Sequence, residues 1–351
     1  MKSCLRLLAT LFAAVSVLSF ITSCSEKEEP AVDNGLVQVS VEAIKGYQDG
    51  DEATRALIEE SGTDWIRIIA TWEEGDEVYV YKQNYNAATP AQFLERVGVL
   101  KAKNDGQSAI RHSGYSYPVE KTLLVGELDG SLLGNGATLF FSYKHPVESG
   151  FSFTGQKGTL KDIDDNYDYA TTTAGVSVRG SGINFSRWLE FQSAQSIVRF
   201  ALKDQDGNPL TASKLVIRET PYPTVPSWES EGGHMLEADL MTMYDLEDMF
   251  AYHKQYDYEE PWYSIYNRYH YLNPTHLGAI EVNPASPTDV FYVSLRGNYG
   301  NSGMDCGFIE ITATVGSDTY YLKHELGPGQ LIWNNEFENL EVWLTKQTTS
   351  D

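Results

Sequence analysis

The chain has 351 residues, and its 49 Asp plus Glu outnumber its 26 Lys plus Arg, which gives a net charge of −23. Such a surface repels the phosphates of nucleic acids and of anionic lipids, so nucleic-acid binding and charge-driven attachment to a bilayer are excluded. The length is enough for about two domains of roughly 150 residues each.

The first 23 residues have the pattern of a secretory signal. Lys2 and Arg6 precede an apolar segment, Leu7–Phe20, which is shorter than the about 20 apolar residues that a membrane-spanning helix needs. The sequence ITSC that follows, ending at Cys24, resembles the bacterial lipobox, in which the cysteine is lipidated and becomes the mature N-terminus. The alternative is an ordinary signal peptide in which Cys24 is incidental.

Residues 24–35 are polar and acidic, and they are predicted to form a tether. The stretch SEKEE after Cys24 resembles the export signal of Bacteroidetes lipoproteins. Because two or more acyl chains hold a protein firmly on a bilayer, lipidation of Cys24 predicts a surface-exposed lipoprotein of the outer membrane. Cys306 is then a single thiol without an intrachain disulfide partner, and we interpret it as a small buried apolar residue.

From residue 36 onward the chain consists of short β-type runs separated by Gly, Asp, Asn and Pro. One face of the first run carries only valines: Val37, Val39 and Val41. A loop over residues 45–64 is expected next, and then strands in WIRIIATW, DEVYVYKQ, SAIRHSGYSYPV, ATLFFSYKH and GFSFTGQKGTL. A short helix is expected at Ala91–Lys103. Because amphipathic helices are missing between most of the runs, the pattern favours antiparallel sheets over βαβ units.

The same pattern restarts near residue 185 and continues to the last run, NLEVWLTKQ, in which Leu340, Val342 and Leu344 alternate with polar residues and a tryptophan. The sequence therefore predicts an all-β protein with two tandem antiparallel β-sandwich domains, residues 36–184 and 185–351. Residues 235–250 fit a helix only partly, so a helix and a strand with a loop both stay open for them.

Several stretches resemble the fimbrillin-like proteins of Bacteroidales. The sequence TRA at Thr54–Ala56, followed by TWEEGDEVYVY at Thr71–Tyr81, is similar to the opening of these proteins. The stretches Gly150–Thr172 and Leu189–Leu210 are similar to the end of their first domain and the start of their second. The terminal sequence ELGPGQLIWNNEFENLEVWLTKQ is also typical of the family, so the resemblance covers most of the chain.

This resemblance implies two transthyretin-like β-sandwich domains in an exported lipoprotein that builds, anchors or caps a surface fimbria. It also implies that a trypsin-like protease cuts stalk subunits after a basic residue in the loop behind the first strand. That strand is then lost, and a strand from a neighbouring subunit fills its groove.

The residues of the two terminal strands are physically compatible with such an exchange. Burial of each valine in the first strand contributes about 1.5–3 kcal/mol, so the loss of all three removes roughly 5–9 kcal/mol. A whole domain is stable by only about 5–15 kcal/mol, so the cut subunit needs a replacement strand. The predicted donor strand is the last one, with Leu340, Val342 and Leu344. The alternative is that both strands stay in their own domains.

Arg55 is the predicted maturation site. It lies in the polar, acidic stretch DGDEATRALIEE, of the kind that proteases reach, whereas Arg67 lies inside the apolar run WIRIIA. The competing interpretation is that Thr54 and Arg55 begin the next strand or pack at the domain edge.

No motif for catalysis, cofactor binding or metal binding is present. Asp162, Asp164, Asn166 and Asp168 resemble the start of a calcium loop, but Tyr167 stands where such a loop has Gly. A turn between strands is therefore the favoured interpretation. The pair His324 and Glu325 lacks the second histidine of a zinc-protease helix. We predict no enzyme, no cofactor and no metal site.

One segment, Phe250–Tyr271, contains nine aromatic residues. Exposed rings in it would form a contact for a glycan or a partner, with Trp262 and Tyr263 as the first candidates. The alternative is a long loop held to the second domain by its tyrosines.

The sequence therefore predicts a structural or adhesive subunit of a bacterial surface fimbria, whether stalk, anchor or tip. Its expected partners are other fimbrial subunits, a host or bacterial surface ligand, and the outer membrane through the lipid on Cys24. The alternative function is that of a surface glycan-binding lipoprotein in a polysaccharide-uptake system.

Overall fold

The computed structural model describes residues 35–45, 55–61, 66–70, 72–103, 121–179, 182–193, 195–220, 279–295, 308–325 and 337–347. These residues form an all-β fold, as the sequence predicts, with two short α-helices and two 3-10 helices, Gly130–Leu132 and Val147–Ser149. Within these ranges, no helix has the length and apolar composition that crossing a membrane requires.

The first half of the chain contributes ten strands and both α-helices. The strands are β1 (Leu36–Lys45), β2 (Arg55–Ser61), β3 (Ile66–Ala70), β4 (Glu77–Gln83), β5 (Leu94–Lys103), β6 (Lys121–Asp129), β7 (Thr138–Tyr143), β8 (Ala170–Arg179), β9 (Gly182–Phe185) and β10 (Leu189–Ser193). The helices are α1 (Pro90–Phe93) and α2 (Leu160–Asn166).

The second half contributes strands alone within the described ranges. They are β11 (Ser196–Lys203), β12 (Lys214–Thr220), β13 (Ile280–Val282), β14 (Val290–Leu295), β15 (Phe308–Val315), β16 (Asp318–Glu325), β17 (Phe337–Trp343) and β18 (Thr345–Lys346).

The first unit is one eight-stranded sheet in the order β10-β1-β6-β5-β4-β7-β8-β9. β10 also pairs with β8, so the sheet closes on itself around a core. Period-two patterning produces this core, because alternate side chains of each strand point inward. Its largest fully buried members are Trp72, Tyr143, Phe141 and Phe191.

The second unit has two sheets, β14-β11-β17 and β13-β12-β15-β16-β18. Inward residues of both sheets, such as Phe200 and Phe291 on one and Leu215 and Ile311 on the other, belong to a single hydrophobic cluster. This part of the chain is therefore a β-sandwich with a core between its sheets.

The segment between β7 and β8 packs into the second core. Phe153, Ile163 and Tyr167 are buried in the same cluster as the sandwich residues. The buried amide of Gln156 donates to Ser294 O at 2.6 Å and accepts from Ser294 N at 2.7 Å. These two hydrogen bonds attach the segment to β14.

Residues 91–103 differ from the predicted helix, because they form the end of α1 followed by the ten-residue β5. The pairing of β5 with β4 shifts register between Val80 and Tyr81, which leaves Val97 as the extra residue of a β-bulge. Buried side chains consequently fall at Leu94, Val97 and Leu100. This spacing of three residues is what produced the helical prediction.

Four further stretches differ from the sequence-based expectation. The run GFSFTGQKGTL, residues 150–160, forms no named strand and leads by turns into α2. The predicted loop over residues 45–64 contains β2, and the Asp-rich stretch forms α2 in place of a turn. Asp162 accepts a hydrogen bond from Lys157 N at 2.7 Å, so its carboxylate supports the start of that helix. β10 lies in the first sheet, so the chain changes sheets after Ser193, nine residues beyond the expected boundary at 184/185.

Candidate functional site

The first strand, β1, lies between β6 and β10 and has one full-length partner. Leu36–Ile44 pair antiparallel with β6, whereas only Ala43–Lys45 pair with β10, in parallel. Within the described residues, Leu36–Glu42 therefore use the hydrogen-bonding groups of one strand edge only. A strand held in this way occupies a groove whose second wall is short.

The floor of this groove is apolar. Val37, Val39 and Val41 are 9%, 5% and 6% exposed, which confirms that they share the inward face of β1. Leu124 and Leu128 of β6 are fully buried in the same core. Removal of β1 would expose these leucines to water, so the groove needs a strand with alternating apolar side chains.

The middle of the outward face of β1, Gln38, Ser40 and Glu42, is polar and exposed, and two of these side chains contact β6. Lys121 Nζ lies 3.2 Å from Glu42, and Gln38 hydrogen-bonds to Glu127. Both contacts are exposed to solvent, where ion pairs contribute about 0–1 kcal/mol. The inward face therefore dominates the free energy that holds β1.

The inward face of β1 ends on a buried charge, the ammonium group of Lys45. This group donates a hydrogen bond to Asp76 Oδ2 at 3.3 Å. It lies 3.5 Å from the ring centroid of Tyr143 and 4.5 Å from that of Trp72. Asp168, whose side chain is fully buried, attracts it electrostatically. We refer to Trp72, Asp76, Tyr143 and Asp168 as the lysine cage.

Asp76 is held in place by groups outside β1. Its carboxylate accepts hydrogen bonds from Tyr143 Oη at 2.6 Å and from Glu73 N at 3.0 Å. Lys144 Nζ lies 3.7 Å away and also contacts Asp164 at 2.8 Å. Lys144 has a φ of +55°, a left-handed conformation that is uncommon for a residue with a side chain. Asp76 therefore has hydrogen-bond and ion-pair partners other than Lys45.

The electrostatic environment changes the pKa of two members of this cluster. Burial lowers the pKa of Lys45 to about 8, against the attraction of Asp168 and Asp76 and with a further lowering by Lys144. Burial and the same two carboxylates raise the pKa of Tyr143 far above its usual range. At neutral pH the cage thus holds a protonated lysine next to a neutral tyrosine.

The cage was not predicted from the sequence, although one signal for it exists. Lys45 stands at an odd-numbered position in β1, in phase with the valines, so the alternation places it on the inward face. Trp72, Asp76 and Tyr143 lie far along the chain from it, and only the closed sheet brings them together.

The structure places Arg55 at the start of a strand. It is the first residue of β2 and pairs with Ala70 of β3. This is the competing arrangement considered for Thr54 and Arg55, and the residues just before it, 46–54, lie outside the described ranges. β2 lies beside α2, and β3 lies beside β17. Cleavage at Arg55 stays a prediction.

The predicted donor residues are packed in their own sandwich. β17 pairs in parallel with β11 from Phe337 to Trp343. Val342 and Leu344 are buried and Leu340 is half-buried. Lys346, at the end of β18, is exposed and lies 2.5 Å from Asp318 of β16. Donation of this strand to another subunit requires that it first leave β11.

The other predicted sites lie outside the described residues. They are the lipidation site Cys24 and the aromatic pair Trp262 and Tyr263. Among the described residues, no group of three or more His, Cys, Asp or Glu side chains is placed to hold a metal ion.

No protein-family model and no curated protein matches the chain. Among solved structures, it is similar to a candidate cell adhesion protein from Bacteroides fragilis NCTC 9343, with 11% identity and a TM-score of 0.37, over 89% of this chain and 98% of the other. A fimbrial protein from Bacteroides ovatus ATCC 8483 matches with 10% identity and a TM-score of 0.33, over 90% and 50% of the chains. The shaft pilin SpaA of Lactobacillus rhamnosus GG matches with 10% identity and a TM-score of 0.29, over 90% and 100%.

Proposed function

We propose that this protein is a subunit of a bacterial surface fimbria that assembles by exchange of its first strand. The observation that supports this most directly is the position of β1. It closes the first sheet, it has a full-length partner on one side only, and its apolar face fills a groove. A strand so placed can leave and be replaced without a change of order among the remaining strands.

The proposed trigger is proteolysis after Arg55, ten residues beyond the end of β1. A cut there separates β1 covalently from the rest of the sheet, so only its groove contacts retain it. These contacts are mainly the three valines and the hydrogen bonds between β1 and β6, so the cut strand can dissociate from the groove and rebind. A strand of another subunit can therefore compete with β1 for the groove. The subunit then joins a fibre, where it serves structure or adhesion without catalysis.

The proposed location is the cell surface. Lipidation of Cys24 would tether the precursor to the outer membrane, and its partners would be other fimbrial subunits, with a host or bacterial surface ligand for an adhesive position. A stalk subunit would lose β1 and its lipid together, because both precede Arg55. An anchor would keep both.

Limited trypsin digestion of the purified precursor tests this proposal. We expect filaments in electron micrographs after digestion of the wild-type protein and none after digestion of Arg55→Ala. Arg67→Ala is the matched control, since Arg67 lies inside β3, and it should polymerise like the wild type. A precursor that is cut at Arg55 and stays monomeric would contradict the proposed function.

A further inference from the structure

The inward side chains of β1 form an ordered series of three apolar residues and a lysine. Val39, Val41 and Ala43 are buried in the core of the first sheet, and Lys45 occupies the lysine cage two residues later. The strand is therefore recognised by two different surfaces, an apolar floor and a charged end.

The C-terminal segment of the same chain has the same series. Leu340, Val342 and Leu344 alternate with Glu341, Trp343 and Thr345, and Lys346 follows two residues after the last leucine. Placed along β6 in the direction of β1, this segment would set Leu340 at the position of Val39 and Lys346 at that of Lys45. Two misfits follow from this register. Leu344 would stand where Ala43 is fully buried and must be accommodated by neighbouring side chains, and Glu338 would fall on the position of Val37, so the donated strand would fill the groove from Leu340 onward.

The charge of the cage discriminates between possible occupants. Asp76 and Asp168 are buried carboxylates, and two ring faces line the space between them and the strand. A lysine brings a cation to carboxylates and rings alike, whereas an acidic side chain would be repelled. An apolar side chain would cover the carboxylates and leave Lys144 as their nearby cation.

The cage also discriminates between registers. A slip by one residue would turn the apolar face of the strand away from the core. A slip by two residues keeps the faces, but in one direction it moves the lysine onto the apolar floor, and in the other it moves a leucine into the cage. A single buried polar group is a known means of fixing register, often at the expense of stability.

We propose that the lysine cage sets the register and identity of the strand that fills the β1 groove, and that its occupant in the assembled fibre is Lys346 of a second copy of this chain. This inference rests on the proposed function, since the cage has to be vacated by Lys45 first. Within its own subunit Lys346 makes an exposed ion pair with Asp318, which contributes little and is easily given up.

The test uses the full-length protein, trypsin and three variants. Lys346→Ala removes the positive charge, and Lys346→Glu replaces it with a negative one. Asp318→Ala breaks the ion pair between Lys346 and Asp318 and leaves Lys346 in place. After digestion, filament growth is followed by light scattering and electron microscopy. We expect Lys346→Ala to weaken the binding of the donated strand to the groove by at least about tenfold in affinity, and to slow filament growth by a similar factor. Lys346→Glu should not polymerise, and Asp318→Ala should grow like the wild type.

The outcomes separate this inference from the proposed function. Wild-type filaments together with unimpaired growth of both Lys346 variants would overturn the role of the cage and leave strand exchange intact. Equal impairment of Lys346→Ala and Asp318→Ala would also overturn it, because the ion pair within the subunit would then explain the effect. A wild-type protein that loses β1 and never polymerises would overturn both. Thermal unfolding before digestion checks that the exposed substitutions leave the fold intact.

Discussion

The ammonium group of Lys45 donates a hydrogen bond to the carboxylate of Asp76 inside the first sheet, 31 residues further along the chain. This contact joins the last residue of β1 to the loop before β4. The remainder of the inward face of β1 is apolar. The strand is thus held by two kinds of interaction, which respond differently to pH and to substitution.

Burial of the Lys45 ammonium group predicts a specific pH dependence of stability. The pKa of Lys45 is about 8 in the folded protein and 10.5 in an unfolded chain, so between these values the unfolded state binds more protons. The free energy of unfolding should therefore rise with pH in this window, by up to about 1.4 kcal/mol per pH unit. Urea denaturation from pH 8 to 9.5 measures this rise below the range where tyrosines ionise.

Lys45→Met should abolish that rise, because the titrating group is gone while the volume is kept. Asp168, Asp76, Lys144 and Tyr143, the other groups that face the ammonium, remain in the variant. Lys101→Met is the control, since Lys101 pairs with Glu77 at an exposed position and should leave the rise in place. If the free energy of unfolding had the same pH dependence in the wild type and in Lys45→Met, Lys45 would not be the group responsible for the rise.

The apolar contacts predict that the inward valines stabilise β1. Val41→Ala should lower the free energy of unfolding by about 1–2 kcal/mol, because a buried side chain loses two methyl groups. Ser40→Ala, one residue earlier on the exposed face, should change it by less than about 0.5 kcal/mol. Chemical denaturation gives both values. Equal effects at the two positions would mean that the inward face does not hold the strand.

The partner strand β6 contains a glycine that the packing requires. A Cβ on Gly126, which pairs with Val39, would lie 2.5 Å from Val99 O and 3.1 Å from the Leu100 side chain. Gly126→Ala should therefore destabilise the first sheet by about 1–3 kcal/mol. Gly134→Ala has open space around its new methyl group and serves as the matched control. A calorimetric Tm that is the same in both variants would contradict this packing.

The last strand should matter to the second sandwich in the precursor. Leu344 is fully buried, so Leu344→Ala should cost about 2–5 kcal/mol. Thr345→Ala, at the exposed neighbouring position, should cost less than about 0.5 kcal/mol. Hydrogen exchange in β11, the partner of β17, reports the loss locally. If the amides of β11 were equally protected from hydrogen exchange in Leu344→Ala and in the wild type, Leu344 would not anchor β17 to β11.

Local patterning was enough to predict much of this fold. Short β-rich runs between turn residues identified β4, β7 and the strands of the second sandwich, and alternation of apolar and polar residues identified β1 and put its three valines inward. The same period places Lys45 inward, yet a lysine at a strand end is usually solvated, so the pattern alone did not reveal its cage.

Other features depend on contacts between distant residues and had no local signal. The bulge at Val97 changes the spacing of buried residues from two to three, which made a strand look like a helix. The closure of the first sheet through β10 joins residues 43–45 to 189–191. The lysine cage exists only because of this closure, so it could not be read from any single segment.

The N-terminus of subunits in native filaments tests the central claim most directly. Filaments sheared from cells and analysed by mass spectrometry should contain subunits that begin at Ala56 and lack residues 36–45. Incorporated stalk subunits that begin at Cys24 and retain β1 in its groove would contradict strand exchange.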